Sequence, residues 1–580
     1  MIKIHSKGLA CIEWGTLMKV FQEHSQSEFG REYFSNLNPE LYSATRARSI
    51  STATQQMNLV LSHWGEEMPL ASIPDIRPIL KRMERLGDID LAEFFDLVVF
   101  LKCVHGQIAF GEKRYKEYPE LKKLCFGLKS LKSWSDQYFQ LIDARGDMRD
   151  SASKDLLALR MLVKKLKTSI QNRLDEYVKN RRYGKVLQDQ YVTLRDGRFV
   201  LPVKSDFKGQ LKGIIHDVSR TESTVFVEPH EIVEWNNQLL VATKEIDEEI
   251  KRILRAVVVA SRPDLPDFWE NCRCLGLLDG VNSIAKAYSS ISQSHVCVAN
   301  ITDEANSYIC EKLFHPLLLI NSQNSIVPHS FDWNSSFIVS GPNTGGKTVL
   351  LKSVALSVAM AHSGIPVLAQ GLTVPLSAKQ LFVDVGDEQD LQHHLSTFSA
   401  HLLNIKSFLD QAEKGDMVFI DEICTGTSPE EGDKMACSIV EEFIDREIST
   451  FVTTHYSGLK NFAMSHEGCR IAAMAFDHVK RLPLYELLLD MPGDSSAVDV
   501  AKRLGLDEAI ISRVEKELGP GHQELNAAIE RFDNARKSCE AEKRHLEDKI
   551  KAREQARKQF EIRETDLRKK IHEKVKEESQ

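Results

Sequence analysis

The chain alternates between stretches with a helical apolar period and shorter β-rich runs. Over residues 1 to about 145, apolar residues recur at three- and four-residue steps, as in Phe94, Leu97, Val98 and Leu101. Pro69, Pro74 and Pro78 break this region into short helices and turns. The pattern narrows after Ser151. Leu156, Leu159, Val163, Leu166, Ile170, Leu174 and Val178 form one stripe on a long helix. Leu239, Ala242, Ile246, Ile250, Ile253 and Val257 form a second. Between the stripes, Tyr191 to Arg195 and Arg198 to Val203 flank Asp196-Gly197, a strong hairpin signal. Lys212 to Val218 and Thr224 to Glu228 read as two further strands. A helix of about 30 residues spans about 45 Å. The pattern therefore predicts a coiled-coil arm of two antiparallel helices with a small sheet at its tip. Residues 263–300 return to short helices.

From about Tyr308 the pattern becomes α/β. Ser336 to Ser340 is a β-rich run that enters a Gly-rich turn. The turn opens a helix whose Val349, Leu350, Val354 and Leu356 are expected to pack on a sheet. Met417 to Ile420 reads as a buried parallel strand, and Phe451 to His455 as another β-rich run. Leu395-Ser396-Thr397-Phe398-Ser399 begins a helix, with Ser396 as a good N-cap. Gly519-Pro520-Gly521 marks a break. Beyond it Leu525, Phe532, Cys539, Leu546, Phe560 and Leu567 sit on a seven-residue repeat interrupted at Arg553, a weak coiled coil in a charged helix.

Composition adds three things. A length of 580 residues allows roughly three to five domains. The 11 cysteines include no CxxC pair, which excludes the usual zinc and thioredoxin-like spacings and fits a reduced, cytoplasmic setting. No uninterrupted apolar run reaches the ~18 residues of a membrane helix, and the N-terminus has no signal-peptide pattern. The net charge of −8 argues against a chain coated in basic residues. Residues 150–215 depart from that balance, with 15 Lys and Arg against 7 Asp and Glu. Lys179, Arg181, Arg182 and Lys185 cluster where the arm meets its tip, and Arg195, Arg198, Lys204, Lys208 and Lys212 lie on the tip. Such cations suit phosphate backbones, bound largely without regard to sequence. A solvated coiled-coil face is the blander reading, but the excess of one sign continues onto the sheet.

The sharpest chemistry lies at Gly341-Pro342-Asn343-Thr344-Gly345-Gly346-Lys347-Thr348, which fits G-x-x-x-x-G-K-[ST] without mismatch. Gly345 and Gly346 leave room for backbone N–H groups around phosphate oxygens. Lys347 reaches the β- and γ-phosphates, and the Thr348 hydroxyl ligates Mg²⁺. The phosphates sit at the positive end of the following helix. Asp421 emerges at the carboxyl end of the Met417 strand beside the metal, and Glu422 can orient and deprotonate the attacking water. His455 follows a β-rich run, well placed to sense the γ-phosphate or the water.

The strings Gly-Pro-Asn-Thr-Gly-Gly-Lys-Thr, Ser-Thr-Phe-Ser, Asp-Glu-Ile-Cys-Thr-Gly-Thr-Ser-Pro-Glu-Glu-Gly and Thr-Thr-His-Tyr together resemble the ATPase domain of the MutS family. Val192 to Lys204, Gly213 to Ser219 and Phe226-Val-Glu-Pro229 resemble the clamp of its second bacterial paralogue branch. The similarity spans roughly residues 1 to 520. It implies an ABC-type ATPase fold, a lever-and-clamp body and a homodimer with composite ATP sites, Ser396 completing the site of the other subunit. It also implies ATP and Mg²⁺ as cofactors, an adenine shelf at Ile326 and Val327, and binding to branched or recombining DNA. Some members of the branch act on stalled ribosomes, which makes ribosomal RNA a second candidate partner. A structural ABC-type ATPase that grips protein partners is a third reading.

The organisation expected is a helical core (1–150), a clamp arm (151–262), a helical return (263–305), an ABC-type P-loop ATPase (306–518) and a charged helix (519–580). Mismatch readers of the family carry an N-terminal domain with a Phe-x-Glu wedge; this sequence opens on the helical body, and its Phe21-Gln-Glu23, Phe110-Gly-Glu112, Phe226-Val-Glu228 and Phe268-Trp-Glu270 are about what chance gives. The branch usually ends in a small Smr nuclease domain. This chain stops in the charged helix, so the expectation is an ATPase without endonuclease activity.

Overall fold

The structure, a computed structural model, describes residues 2–4, 6–64, 70, 72–302, 307–321, 326–386, 397–477, 482–493 and isolated positions beyond 500. Most of the predicted heptad after Gly521, and Ser396, lie outside the described residues. The chain has helical and α/β parts and divides into two units. The first comprises Met1–Ser336, Thr348–Asp421 and Ile439–Phe451. The second comprises Phe337–Lys347, Glu422–Ser438 and Val452–Gln580.

The helical part of the first unit begins with caps that the sequence supplies. Asp90 and Glu93 form a reciprocal capping box at the start of helix Leu91–Arg114. That helix is 24 residues long and apolar enough to span a membrane by length and composition. Its Phe94, Leu97, Val98, Phe100, Leu101 and Val104 are buried in the helical core instead. Ser27 caps helix Glu28–Asn36. The fully buried Asp279 accepts from both the N–H and the hydroxyl of Ser27, which ties that cap to helix Leu265–Ala287. The close approach of these helices requires glycine. A Cβ on Gly276 would lie 2.9 Å from the Phe29 carbonyl oxygen, and one on Gly280 2.5 Å from the Tyr33 ring.

Leu265–Ala287 corrects the expectation of short helices in this region: it is one helix of 23 residues. It is buried on nearly every side, from Leu265 through Ala287, so it shows no apolar stripe against a polar face.

The segment expected to form an arm contains helices Lys154–Lys179 and His230–Ala260, 26 and 31 residues long. Ser153 caps the first by accepting from the Leu156 N–H, and its hydroxyl donates to Glu249 of the second at 2.7 Å. Leu166, Ile170 and Leu174 pack with Ile232 and Leu239, in a cluster continuous with Leu201, Val203, Val225 and Val227 of the tip sheet. Leu157, Met161 and Leu162 face solvent, outside that stripe.

The tip sheet has four antiparallel strands in the order Thr193–Arg195, Arg198–Lys204, Thr224–Pro229, Gly213–Val218. Arg195 pairs with Arg198 across the turn. Asp196 and Gly197 both take positive φ (48° and 76°), as a two-residue type I′ hairpin demands.

The first unit also holds the parallel strands Lys3–Ile4, Gln380–Asp384 and Met417–Ile420, hydrogen-bonded in that order. Helix Lys347–His362 buries Leu350, Leu351, Val354, Ala355 and Leu356. Val349, expected on the buried face, is 41% exposed. In the second unit, strands Cys469–Asp477 and Leu482–Leu489 pair antiparallel, and the part of strand Ser336–Ser340 in this unit borders Cys469–Asp477.

Candidate nucleotide site and nucleic-acid interface

The Gly-rich string forms a short turn, Asn343–Gly345, between strand Ser336–Ser340 and helix Lys347–His362. Gly346, in the left-handed region at φ 92°, makes the bend into the helix. In the second unit Lys347 is 2% exposed, and its Nζ donates to the Gly341 carbonyl at 2.6 Å. The loop is backed by Met474, whose Cβ lies 3.1 Å from where a Cβ on Gly345 would stand. Tyr485 covers Gly346, its Cδ1 3.2 Å from the equivalent point. Ser340 accepts from the Gly493 N–H at 2.7 Å and donates to the Ala472 carbonyl at 3.1 Å, closing the wall behind the loop. Gly341 and Gly345 are buried, Pro342 is half-buried, and Thr344 is exposed.

In the first unit the Thr348 hydroxyl donates to Asp421 Oδ2 at 2.7 Å. A hydroxyl and a carboxylate at this separation are hard oxygen donors of the kind Mg²⁺ takes, with phosphate and water oxygens completing its shell. Among the described residues, no group of three or more His, Cys, Asp or Glu forms an all-protein metal cage.

The segment after Asp421 is strained and pinned. Glu422 and Cys424 are non-glycine residues at positive φ (50° and 58°), and Gly426 follows at 95°. The Glu422 N–H donates to Thr453 Oγ1 at 2.8 Å, and the Tyr456 hydroxyl to the Cys424 carbonyl at 2.8 Å. Glu422 thus leaves its strand in a backbone conformation that the neighbouring strand Ser449–Thr454 holds. Burial pushes the Cys424 thiol up to about 11, so it is neutral at pH 7. His455 is exposed just past Thr454, its ring 4.7 Å from that of Tyr456. Ile326 and Val327 are half-buried ahead of strand His329–Trp333 in the first unit.

Sequence reasoning passed over Asp384, His401 and Asn404. The Asp384 carboxylate, ending its strand, accepts from His401 Nδ1 at 2.7 Å and Asn404 Nδ2 at 2.9 Å. His401 stands two residues beyond Ser-Thr-Phe-Ser, a signal that was available. Tyr485 and Met474 were equally silent, because only the paired strands bring them to the Gly-rich turn.

The nine candidate cations on the arm are not equivalent. Lys179, Arg181, Arg182, Lys185, Lys208 and Lys212 are exposed. Arg195 lies 4.0 Å over the Phe226 ring and pairs with Asp217 at 3.2 Å. Lys204 is half-buried at the end of its strand. Arg198 is held inside the tip: it donates to Glu228, which is fully buried, at 3.0 Å and to Asn237 at 2.6 Å. Glu228 also accepts from Asn236 at 2.6 Å and bonds His216. Arg198 therefore joins the tip sheet to helix His230–Ala260.

Comparisons with known proteins agree with one another. Residues 337–519 match the family description "MutS domain V". The chain is 31% identical over 580 residues to the Endonuclease MutS2 of Halothermothrix orenii, covering 98% of this chain and 72% of that protein. It is 32% identical over 545 residues to the Endonuclease MutS2 of Shouchella clausii, covering 91% of this chain and 67% of the relative. The protein named Putative endonuclease MutS2 in Bacillus subtilis is 29% identical over 545 residues, covering 93% and 68%. With nearly its whole length aligned to relatives of one kind, the chain belongs to the MutS2 family.

Proposed function

We propose that the protein is an ATP-hydrolysing clamp that grips branched or recombining DNA. The observation that carries this reading is the Thr348–Asp421 hydrogen bond, which joins the Gly341–Thr348 string to the carboxylate expected to hold the metal. On this reading the chain contains an ABC-type P-loop domain, works as a homodimer in the cytoplasm, and uses 151–262 as a coiled-coil arm.

Backbone N–H groups of Gly345 and Gly346 surround the phosphates, and Lys347 exchanges the Gly341 carbonyl for phosphate oxygens. Thr348 and Asp421 would hold Mg²⁺ between them. Held by these residues, Mg²⁺ would supply positive charge to offset that developing on the phosphates. Glu422 takes the proton of the attacking water, and the strained backbone at that residue supports the role. His455, exposed just past Thr454 with its ring against Tyr456, is the sensor of nucleotide state. Ile326 and Val327 form the adenine shelf. Ser396 acts on the γ-phosphate of the partner subunit's site.

The exposed cations of the arm tip bind phosphate backbones. The relatives are named endonucleases; cleavage by this chain is tested separately from binding, by incubating plasmid and four-way junction DNA with Mg²⁺ or Mn²⁺. Ribosomal RNA presents the same phosphates, and co-sedimentation with ribosomes is the arm of the experiment that separates it.

The catalytic reading is tested by phosphate release and ATP affinity in three chains. Lys347→Ala weakens ATP binding itself. Glu422→Gln keeps binding and loses hydrolysis, since an amide cannot take the proton. Normal hydrolysis by the Glu422 variant contradicts the water-activating role.

A further inference from the structure

The unexplained polar cluster of the first unit lies next to the candidate metal ligand. Strand Gln380–Asp384 runs parallel to Met417–Ile420, with Asp384 opposite Ile420. The N–H of Asp421 donates to the Asp384 carbonyl at 2.9 Å. The Asp384 side chain is 3% exposed, and its two oxygens are taken separately, Oδ2 by His401 and Oδ1 by Asn404. An ionised carboxylate only accepts, so His401 Nδ1 carries the hydrogen. His401 and Asn404 are three residues apart on one face of helix Thr397–Gln411.

Attachment of that helix to the sheet does not need this cluster. Phe382 and Phe408 already pack ring to ring at 5.3 Å across the same two elements. A buried carboxylate is costly unless fully hydrogen-bonded, and it adds what apolar contact lacks, a single register. The result is an unbroken series of hydrogen bonds: Thr348 to Asp421, Asp421 to Asp384, and Asp384 to the second turn of helix Thr397–Gln411.

We propose that His401 and Asn404, acting through Asp384, are positioning residues for ATP hydrolysis, latching helix Thr397–Gln411 to the strand end that carries Asp421. The metal-holding carboxylate and the start of that helix then move as one body. The inference rests on the ATPase reading above. It assigns no contact between the latch and nucleotide; its effect is on the alignment of Asp421, so it belongs to turnover more than to nucleotide affinity.

The test uses His401→Ala, His401→Gln and the exchange pair Asp384→Asn with Asn404→Asp, in the full chain. Three quantities are measured: kcat for phosphate release, equilibrium affinity for a non-hydrolysable ATP analogue, and the thermal midpoint. His401→Ala lowers kcat about 10–100-fold, the range found when residues that orient metal ligands are removed. Analogue affinity stays within about threefold, which at 25 °C is under one factor of ten in the binding constant and so separable from the kcat effect. His401→Gln, which keeps a donor, recovers part of the loss. The exchange pair recovers more, because an Asn at 384 accepts from His401 and donates to an Asp at 404.

Wild-type kcat in His401→Ala overturns the latch, as does an equal fall in kcat, affinity and thermal midpoint, the signature of a merely structural contact. If His401→Ala does not fold, the exchange pair decides: wild-type-like turnover supports the latch, and a folded chain without recovered turnover overturns it. A wild-type chain that releases no phosphate overturns the ATPase reading and the latch with it. An active wild type whose turnover is unaltered in His401→Ala overturns the latch alone.

Discussion

At the scale of the residue, burial decides which charged and polar groups are available for function. Arg198 is the clearest case. Its guanidinium is committed to Glu228 and Asn237, so a charge reversal there damages the tip before it tests binding. Removing Glu228 leaves Arg198, His216 and Asn236 without their shared acceptor. Glu228→Ala should therefore destabilise the tip by about 3–5 kcal/mol, the cost of stranding one member of a buried pair. Limited proteolysis between residues 180 and 230 is the readout, and tip resistance equal to wild type contradicts it. A second residue-scale prediction concerns pH. Burial pushes His315, His329 and His362 down to about 4. Neither ring nitrogen of His362 has a hydrogen-bond partner among the described residues. An unfolded histidine binds a proton near 6.5, so between about pH 6.5 and 4 the unfolded chain holds protons that the folded chain lacks. The stability these three residues contribute is complete above that window and is lost as pH falls through it. Urea unfolding at pH 7 and pH 5 should show the loss, and His362→Leu should reduce the difference. An unchanged difference would remove His362 from the effect.

At the scale of the element, what was legible depended on whether an element has two unlike faces. The arm helices do: Leu166, Ile170, Leu174 and Leu239 are buried as the stripes predict, with charged residues between them. The hairpin was legible from Asp196-Gly197 alone, because few residue pairs tolerate two consecutive positive φ values. Helix Leu265–Ala287 was not legible as one element, since burial on all sides erases the period. Val349 was misplaced for a related reason: helix Lys347–His362 is apolar almost throughout, and apolarity alone does not say which residue faces out. The meeting of Thr348 with Asp421 was legible from the strings at 341–348 and 421–422, because a phosphate loop read from such a string calls for a carboxylate at the end of a later strand. Asp384 and His401 were not, because packing of helix Thr397–Gln411 on strand Gln380–Asp384 brings them together from positions 17 apart with no local pattern. The glycine pair in Leu265–Ala287 yields an element-scale prediction. Gly280→Ala forces a methyl against the Tyr33 ring and should cost about 1–3 kcal/mol, the usual penalty for overpacking. Denaturant midpoints check it. An open helical position such as Gly106, with nothing within 4 Å of its would-be Cβ, should instead accept alanine without loss. Equal costs at the two sites would mean that close helix approach is not what requires Gly280.

At the scale of the whole molecule, the arm and the Thr348–Asp421 pair belong to the same unit of the chain. On the proposed clamp reading, that unit would carry the coupling of nucleotide to nucleic acid. ATP drives a clamp only through different affinities for its open and closed states. Nucleic acid must then change ATP affinity by the same factor as ATP changes nucleic-acid affinity. The contact surface is expected at Lys179, Arg181, Arg182, Lys185, Lys208 and Lys212, the exposed cations of the tip. Replacing Arg181, Arg182, Lys208 and Lys212 by Glu spares the buried Arg198–Glu228 pair. It should leave basal ATP hydrolysis intact while weakening binding across all DNA sequences.

The most direct measurement is the affinity for a four-way DNA junction, titrated against salt, with ADP and with a non-hydrolysable ATP analogue. The clamp reading predicts different affinities in the two nucleotide states. It also predicts a slope of log affinity against log salt of about −0.9 per neutralised phosphate, flattened in the four-cation variant. Identical affinities with ADP and the analogue would contradict the nucleotide-gated clamp, and an unchanged slope in the variant would remove the arm tip from the contact surface.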